Sequence, residues 1–167
     1  MDKHCKYIIC SGFVAIAHGR TRGTEDIDMI IKKLSKDEFI SLHYDLIKGG
    51  FECIQSNDAE KIFKDYLSVN LSVRYICKNE FLPEMEIKFS KDKLDEEQLE
   101  TRQKLEFTGL NVYFSSIESN IAFKEELLKA EKDLEDARHL RIIYEGKIDE
   151  DKINKIKAQI GLYRLKK

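Results

Sequence analysis

The 167-residue chain has a single proline, Pro83, and no stretch rich in glycine, serine and proline that would act as a linker. Nothing in it repeats at a fixed period, so one domain is expected, with a helical appendage at most. No run approaches the roughly 18 apolar residues that a membrane span needs. The start, Met1-Asp2-Lys3-His4-Cys5, carries no signal-peptide pattern, because the apolar run after it is short and ends in a polar loop. The cytoplasm is therefore the expected compartment. Cys5, Cys10, Cys53 and Cys77 contain no CxxC pair and no metal-ligand spacing. They read as free thiols, with Cys10 and Cys53 buried as small hydrophobes. Neither sign of charge dominates: 36% of residues are charged, yet the net charge is −2. That argues against a nucleic-acid scaffold held mainly by a global positive field and leaves a local basic patch open.

What is present is concentrated between Ile8 and Ile31, IICSGFVAIAHGRTRGTEDIDMII. Side chains two apart on a strand share a face. Asp26 and Asp28 would thus stand side by side in an apolar strand, where two unpaired carboxylates are unfavourable. A bound cation would explain them; pairing with Arg20, Arg22 or Lys32 is the plainer alternative. Upstream, Ser11-Gly12 ends a strand over 7–10 and opens a short apolar helix over 13–18. Such a turn presents backbone N–H groups to an anion. Arg20 and Arg22 lie in a polar loop over 19–25, and guanidinium groups suit phosphate. His18 reads as a structural residue at a helix end.

Further on, Ser35 and Glu38 form a capping box for a helix over 35–47, with Phe39, Leu42, Leu46 and Ile47 on its apolar face and Gly49-Gly50 as its stop. A short strand is expected over 51–54, a short helix over 59–66, a long strand over 67–76 and a turn over 78–83. The strand over 85–89 sets Glu84, Glu86 and Lys88 on one face. Glu86 is the best third carboxylate if that strand lies beside Asp26–Ile31, and Glu84 is the runner-up. A last strand over 110–114 precedes a second capping box, Ser115-x-x-Glu118, which predicts one long helix to about Tyr144 with Ile117, Ile121, Leu128, Leu134 and Leu140 buried. Within it, Lys124 to Asp136 (KEELLKAEKDLED) reads as a solvated charged face with a Glu125–Lys129 pair. Lys124, Lys132, Asp133 and Asp136 facing a cleft is the alternative. Gly146 ends that helix, and a final one near Asp149 carries Ile153, Ile156 and Ile160. The expected architecture is α/β (α+β): a mixed sheet flanked by helices over 1–114, then a C-terminal helical pair over 115–167.

Taken together, Ser11-Gly12, His18-Gly19-Arg20-x-Arg22-x-Thr24 and Asp26-Ile27-Asp28 resemble the signature of the nucleotidyltransferase superfamily, that of DNA polymerase beta and the aminoglycoside and lincosamide nucleotidyltransferases. The segment Ser116-Ile117-Glu118, Lys124 and Lys132-Asp133-x-x-Asp136 resembles the helix that follows the last strand in its small prokaryotic members. The resemblance implies transfer of a nucleoside monophosphate from an NTP, such as ATP, to a hydroxyl on a small molecule, a tRNA or a protein. It implies two Mg²⁺ ions held by Asp26, Asp28 and Glu86, a phosphate turn at Ser11 and Gly12, triphosphate contacts from Arg20 and Arg22, and an approach by Lys124. Some such proteins are toxins, which adds an antitoxin as an expected partner. Three departures stand out: Ser-Gly replaces the usual Gly-Gly or Gly-Ser, the third acid is Glu rather than Asp, and only six residues precede the first expected strand, where relatives often have a helix. A member that binds nucleotide or a partner protein without catalysis is the second reading. Pairing of the Ile153 helix with a second subunit is a further expectation.

Overall fold

A computed structural model of the chain describes residues 1–80 and 82–165. β1 (Tyr7–Ile9) is buried along its length and runs through Ser11 into the short helix α1 (Gly12–Ala17). A loop then leads into β2 (Asp26–Ile31), whose burial rises from its acidic start to its apolar end. α2 (Lys36–Lys48) starts on the expected capping box, with Ser35 Oγ accepting from Glu38 N and the Glu38 carboxylate accepting from Ser35 N at 2.7 Å. Phe39, Leu42 and Leu46 are buried, whereas Ile47 is exposed.

β3 (Phe51–Cys53), α3 (Ala59–Asp65), β4 (Val73–Cys77) and β5 (Glu84–Phe89) follow. The long strand expected over 67–76 is cut: Leu67–Val69 is a 3₁₀ turn, and Asn70 sits at φ +62°. Asparagine tolerates that left-handed region better than most residues. The turn expected over 78–83 includes Phe81, which lies outside the described residues. α4 (Lys93–Glu100) was not expected, because Leu94 and Leu99 are its only large apolar residues; both are buried. β6 (Gln103–Lys104) and β7 (Tyr113–Phe114) complete the sheet.

The seven strands run β3-β4-β5-β2-β1-β7-β6. β2 pairs parallel with β5, and β1 with β7; the other pairs are antiparallel. The predicted mixed sheet with flanking helices is therefore correct. The single long helix is not. Ser116, not Ser115, caps α5 (Ile117–Phe123), a π-helical turn spans Lys124–Leu128, Lys129 breaks the path at φ +58°, and α6 (Glu131–Ile143) starts anew. Leu128 and Leu134 are accordingly exposed, while Ile117, Ile121 and Leu140 are buried. Glu125 does not pair with Lys129; it meets Arg141 and Lys157, each at 2.6 Å.

α7 (Glu150–Ile160) starts on Asp149, which caps Lys152 N at 2.9 Å. Its Ile153, Ile156 and Ile160 are buried within the chain, where α7 packs on α5, so this face is not left for a second subunit. No described helix is long and apolar enough to cross a membrane. Ile153→Ala should cost about 2–5 kcal/mol, the usual range for emptying a buried aliphatic site. Urea denaturation checks the size. A midpoint independent of protein concentration checks that the contact lies within one chain.

Candidate active site

β2 and β5 are in parallel register, with Asp26 beside Glu84 and Asp28 beside Glu86. Alternation along each strand puts all four acids on one face of the sheet. Burial pushes the Asp28 carboxyl above the ordinary carboxylate range; the Ser11 hydroxyl and Lys88 pull it down, and Glu86 and Asp26 push it up. The backbone of Asp28 is fixed by Cys10, whose N donates to Asp28 O at 3.0 Å. Burial pushes the Cys10 thiol up to about 12, which leaves it a packing residue rather than a nucleophile. Glu86 is engaged on its other side by Arg74 of β4, whose Nε and Nη2 donate to Oε2 at 3.1 and 3.0 Å. Arg74 Nε also lies 3.2 Å from Glu84 Oε2.

Ser11 occupies φ +63°, ψ −133°, a conformation that glycine adopts far more readily. Its side chain does not cap α1; its hydroxyl serves Asp28 instead. Gly12 makes room for Arg22, since a Cβ there would fall 2.8 Å from Arg22 Nη2. The turn thus brings a hydroxyl, a bare backbone and a guanidinium next to the two aspartates.

Arg22 is held by Asp136 of α6, Nη1 to Oδ2 at 2.7 Å. Arg20 Nη1 also binds Asp136, and its Nη2 reaches Glu135 at 2.5 Å. Lys124 adds a third cation, with Nζ 2.8 Å from Asp136 Oδ2 and 3.3 Å from Asp133 Oδ1. Asp136 is 0% and Lys124 1% exposed. The solvated reading of this stretch therefore fails for Lys124, Asp133 and Asp136, though Lys132 and Glu135 remain exposed. His18 is structural, as expected. Its Nδ1 donates to Val14 O at 2.6 Å, which leaves Nε2 to accept from the Tyr144 hydroxyl at 2.9 Å.

A cavity of about 700 Å³ opens among these groups, lined by Ser11, Gly12, Arg20, Arg22, Asp26 and Asp28, with Lys132 and Asp133 at its α6 wall. Six of the eight predicted site residues share this lining. Glu86 and Lys124 do not: Glu86 lies next along the sheet, and Lys124 faces a second cavity of about 150 Å³. That second cavity shares Ser11 and Asp28 with the first and also contains Gln98. Among the described residues, Gln98 Nε2 is the buried side-chain polar atom left without a hydrogen bond.

The donors suit a hard divalent cation such as Mg²⁺, being carboxylate oxygens whose mutual repulsion and partial burial a cation would relieve. Among the described residues no three His, Cys, Asp or Glu side chains converge as a ready ligand set. Asp26 and Asp28 are adjacent, and Glu86 would have to turn in from Arg74 to join them.

This architecture has solved counterparts. The chain matches an antigenic nucleotidyltransferase-like protein from Paracoccidioides brasiliensis over 98% of its own length and 83% of that chain, with a TM-score of 0.52 and 16% identity. The chain has the nucleotidyltransferase fold. The antibiotic-resistance factor ANT(2'')-Ia matches over 95% of this chain and 83% of its own, with a TM-score of 0.50 and 14% identity. No protein-family model and no curated protein sequence matches the chain.

Arg74 is the candidate-site neighbour that sequence reasoning missed; Asp136, expected only as a residue that could face a cleft, is the shared partner of Arg20, Arg22 and Lys124. An arginine within an expected strand and an i,i+3 pair of aspartates were visible; their partners across the sheet and across the loop were not.

Two consequences can be measured. Asp136→Asn should destabilise the chain by about 3–5 kcal/mol, because it strips three cations of a shared buried partner; chemical denaturation reads this directly. Asp28→Asn should raise the melting temperature at neutral pH without divalent cations. The folded pKa of Asp28 is raised, so its contribution to stability is present below the unfolded value and is lost as pH rises through the folded one. The advantage of the Asn variant should therefore shrink as the pH is lowered, which melting curves across pH would follow.

Proposed function

We propose that the chain is an Mg²⁺-dependent nucleotidyltransferase, moving a nucleoside monophosphate from an NTP to a hydroxyl acceptor with release of pyrophosphate. One observation carries the reading: Asp26 and Asp28 border a cavity that also holds Ser11, Gly12 and two arginines, while Glu86 stands in register beside Asp28. Carboxylates for a cation then meet donors for a phosphate at one place. When bound, Mg²⁺ would neutralise triphosphate charge and increase the electrophilicity of the α-phosphorus.

The rest falls to side chains. Asp26, Asp28 and Glu86 hold the cation. Arg22 is pinned through Nη1 to Asp136 and Nε to Gly23 O, with Nη2 over Gly12 and no hydrogen bond on it among the described residues. That fixed nitrogen is a preorganised phosphate donor, so little reorganisation accompanies binding. The acceptor oxygen attacks the α-phosphorus, the bond to the β-phosphate oxygen breaks, and Glu86 takes the hydroxyl proton as general base. Positioning and charge stabilisation supply most of the rate. The two cavities meeting at Asp28 suit a reaction with two substrates.

A non-catalytic nucleotide binder is the second reading, favoured by the commitment of Arg20 and Lys124 to carboxylates of α6. Calorimetry separates the two. The proposal expects NTP binding that needs Mg²⁺ and disappears in Asp28→Ala, whereas metal-independent binding that survives Asp28→Ala favours the second reading. Incubating the protein with each labelled NTP and a pool of RNA, protein and small hydroxyl compounds should label one class, and Asp26→Ala should abolish the labelling. Full labelling by that variant would overturn the assignment.

A further inference from the structure

Arg74 stands at the edge of the acid row. It lies opposite Glu86 across the antiparallel β4–β5 pair, on the face that carries Glu84 and, one strand further, Asp26 and Asp28. Its two contacts to Glu86 fall on one oxygen, Oε2, at 3.0 and 3.1 Å, and it touches Glu84 at 3.2 Å. The side chain is 45% exposed, so it can leave for solvent without unpacking the core. Asp26 and Asp28, by contrast, lack a third acid close enough to complete a cation site among the described residues.

We infer that Arg74 is a latch: it holds Glu86 away from the Asp26–Asp28 pair and releases it when a divalent cation binds. The inference rests on the proposed reading of these acids as cation ligands. A guanidinium and a divalent cation compete for the negative charge of one carboxylate. Without the cation, Arg74 offsets the repulsion among four carboxylates on one sheet face. With it, that role passes to the ion, and the arginine swings outward. Arg74 is then a positioning residue that sets the affinity of the site, and it touches no reacting atom. Because the pair is partly exposed, the latch is weak, and its removal should alter affinity only by about fivefold.

Mn²⁺ titration calorimetry on the whole chain tests this with four proteins: wild type, Arg74→Gln, Glu86→Gln and the double variant. Arg74→Gln should bind Mn²⁺ about fivefold more tightly, and Glu86→Gln more weakly than wild type. In the Glu86→Gln background most of the Arg74→Gln gain should be lost, because Glu86 is the ligand that the latch withholds; only the smaller effect of removing a cation near Glu84 remains. An undiminished gain there means plain long-range repulsion and overturns the latch; an unchanged or weaker affinity in Arg74→Gln does so as well. Arg74→Lys, which keeps the charge but makes a single-pronged contact, should give an intermediate affinity and covers the case in which Arg74→Gln does not fold. Absence of Mn²⁺ binding in all the variants and in wild type would instead remove the cation reading itself, and the latch with it.

Discussion

Asp136 is the constraint on which the site's shape depends. A carboxylate without solvent is tolerated as an anion only when its charge is matched nearby. Here Arg20, Arg22 and Lys124 match it, arriving from the loop after α1 and from the π-helical turn after α5. The loop has no regular structure of its own, so these contacts, together with Arg20 N to Ala15 O at 3.0 Å and His139 to His18 O at 3.0 Å, decide where it lies. The break at Lys129 belongs to the same arrangement. A continuous helix would carry Asp133 and Asp136 away along its axis, whereas the restart at Glu131 turns them back toward Lys124. One buried charge thus positions a cavity wall, a helix and two guanidinium groups.

The acid row obeys the same electrostatics with a different solution. Its carboxylates lie at the open end of two parallel strands, only partly buried, and neighbouring groups share the repulsion: Ser11 and Lys88 act on Asp28, and Arg74 acts on Glu84 and Glu86. The strained backbone of Ser11 fits this account. It places a hydroxyl near Asp28 at a position where glycine would be the relaxed choice, which gives Ser11 a physical role in this turn.

Much of this was legible in the sequence where signals are local. The Asp26–Ile31 strand, the Ser35 capping box and the Ile153-Ile156-Ile160 stripe all follow from spacing over a few residues. Errors came where one residue with left-handed backbone interrupts a continuous pattern. Asn70 breaks an alternating run and Lys129 a helical one, and neither is a glycine or proline that would mark the break. α4 escaped notice because two leucines carry its burial amid charges. The burial of Lys124 and Asp136 was hidden for a related reason: in KEELLKAEKDLED, a charge destined for an interior partner looks the same as one bound for water. The pairing of Glu86 with Asp28 required strand order, which depends on long-range contacts.

Ser11 and Asp28 line both the larger and the smaller cavity. Whatever fills one chamber becomes part of the wall of the other. A compound seated in one chamber would present part of its own surface to a compound in the other, and any influence between them on affinity would run equally in both directions.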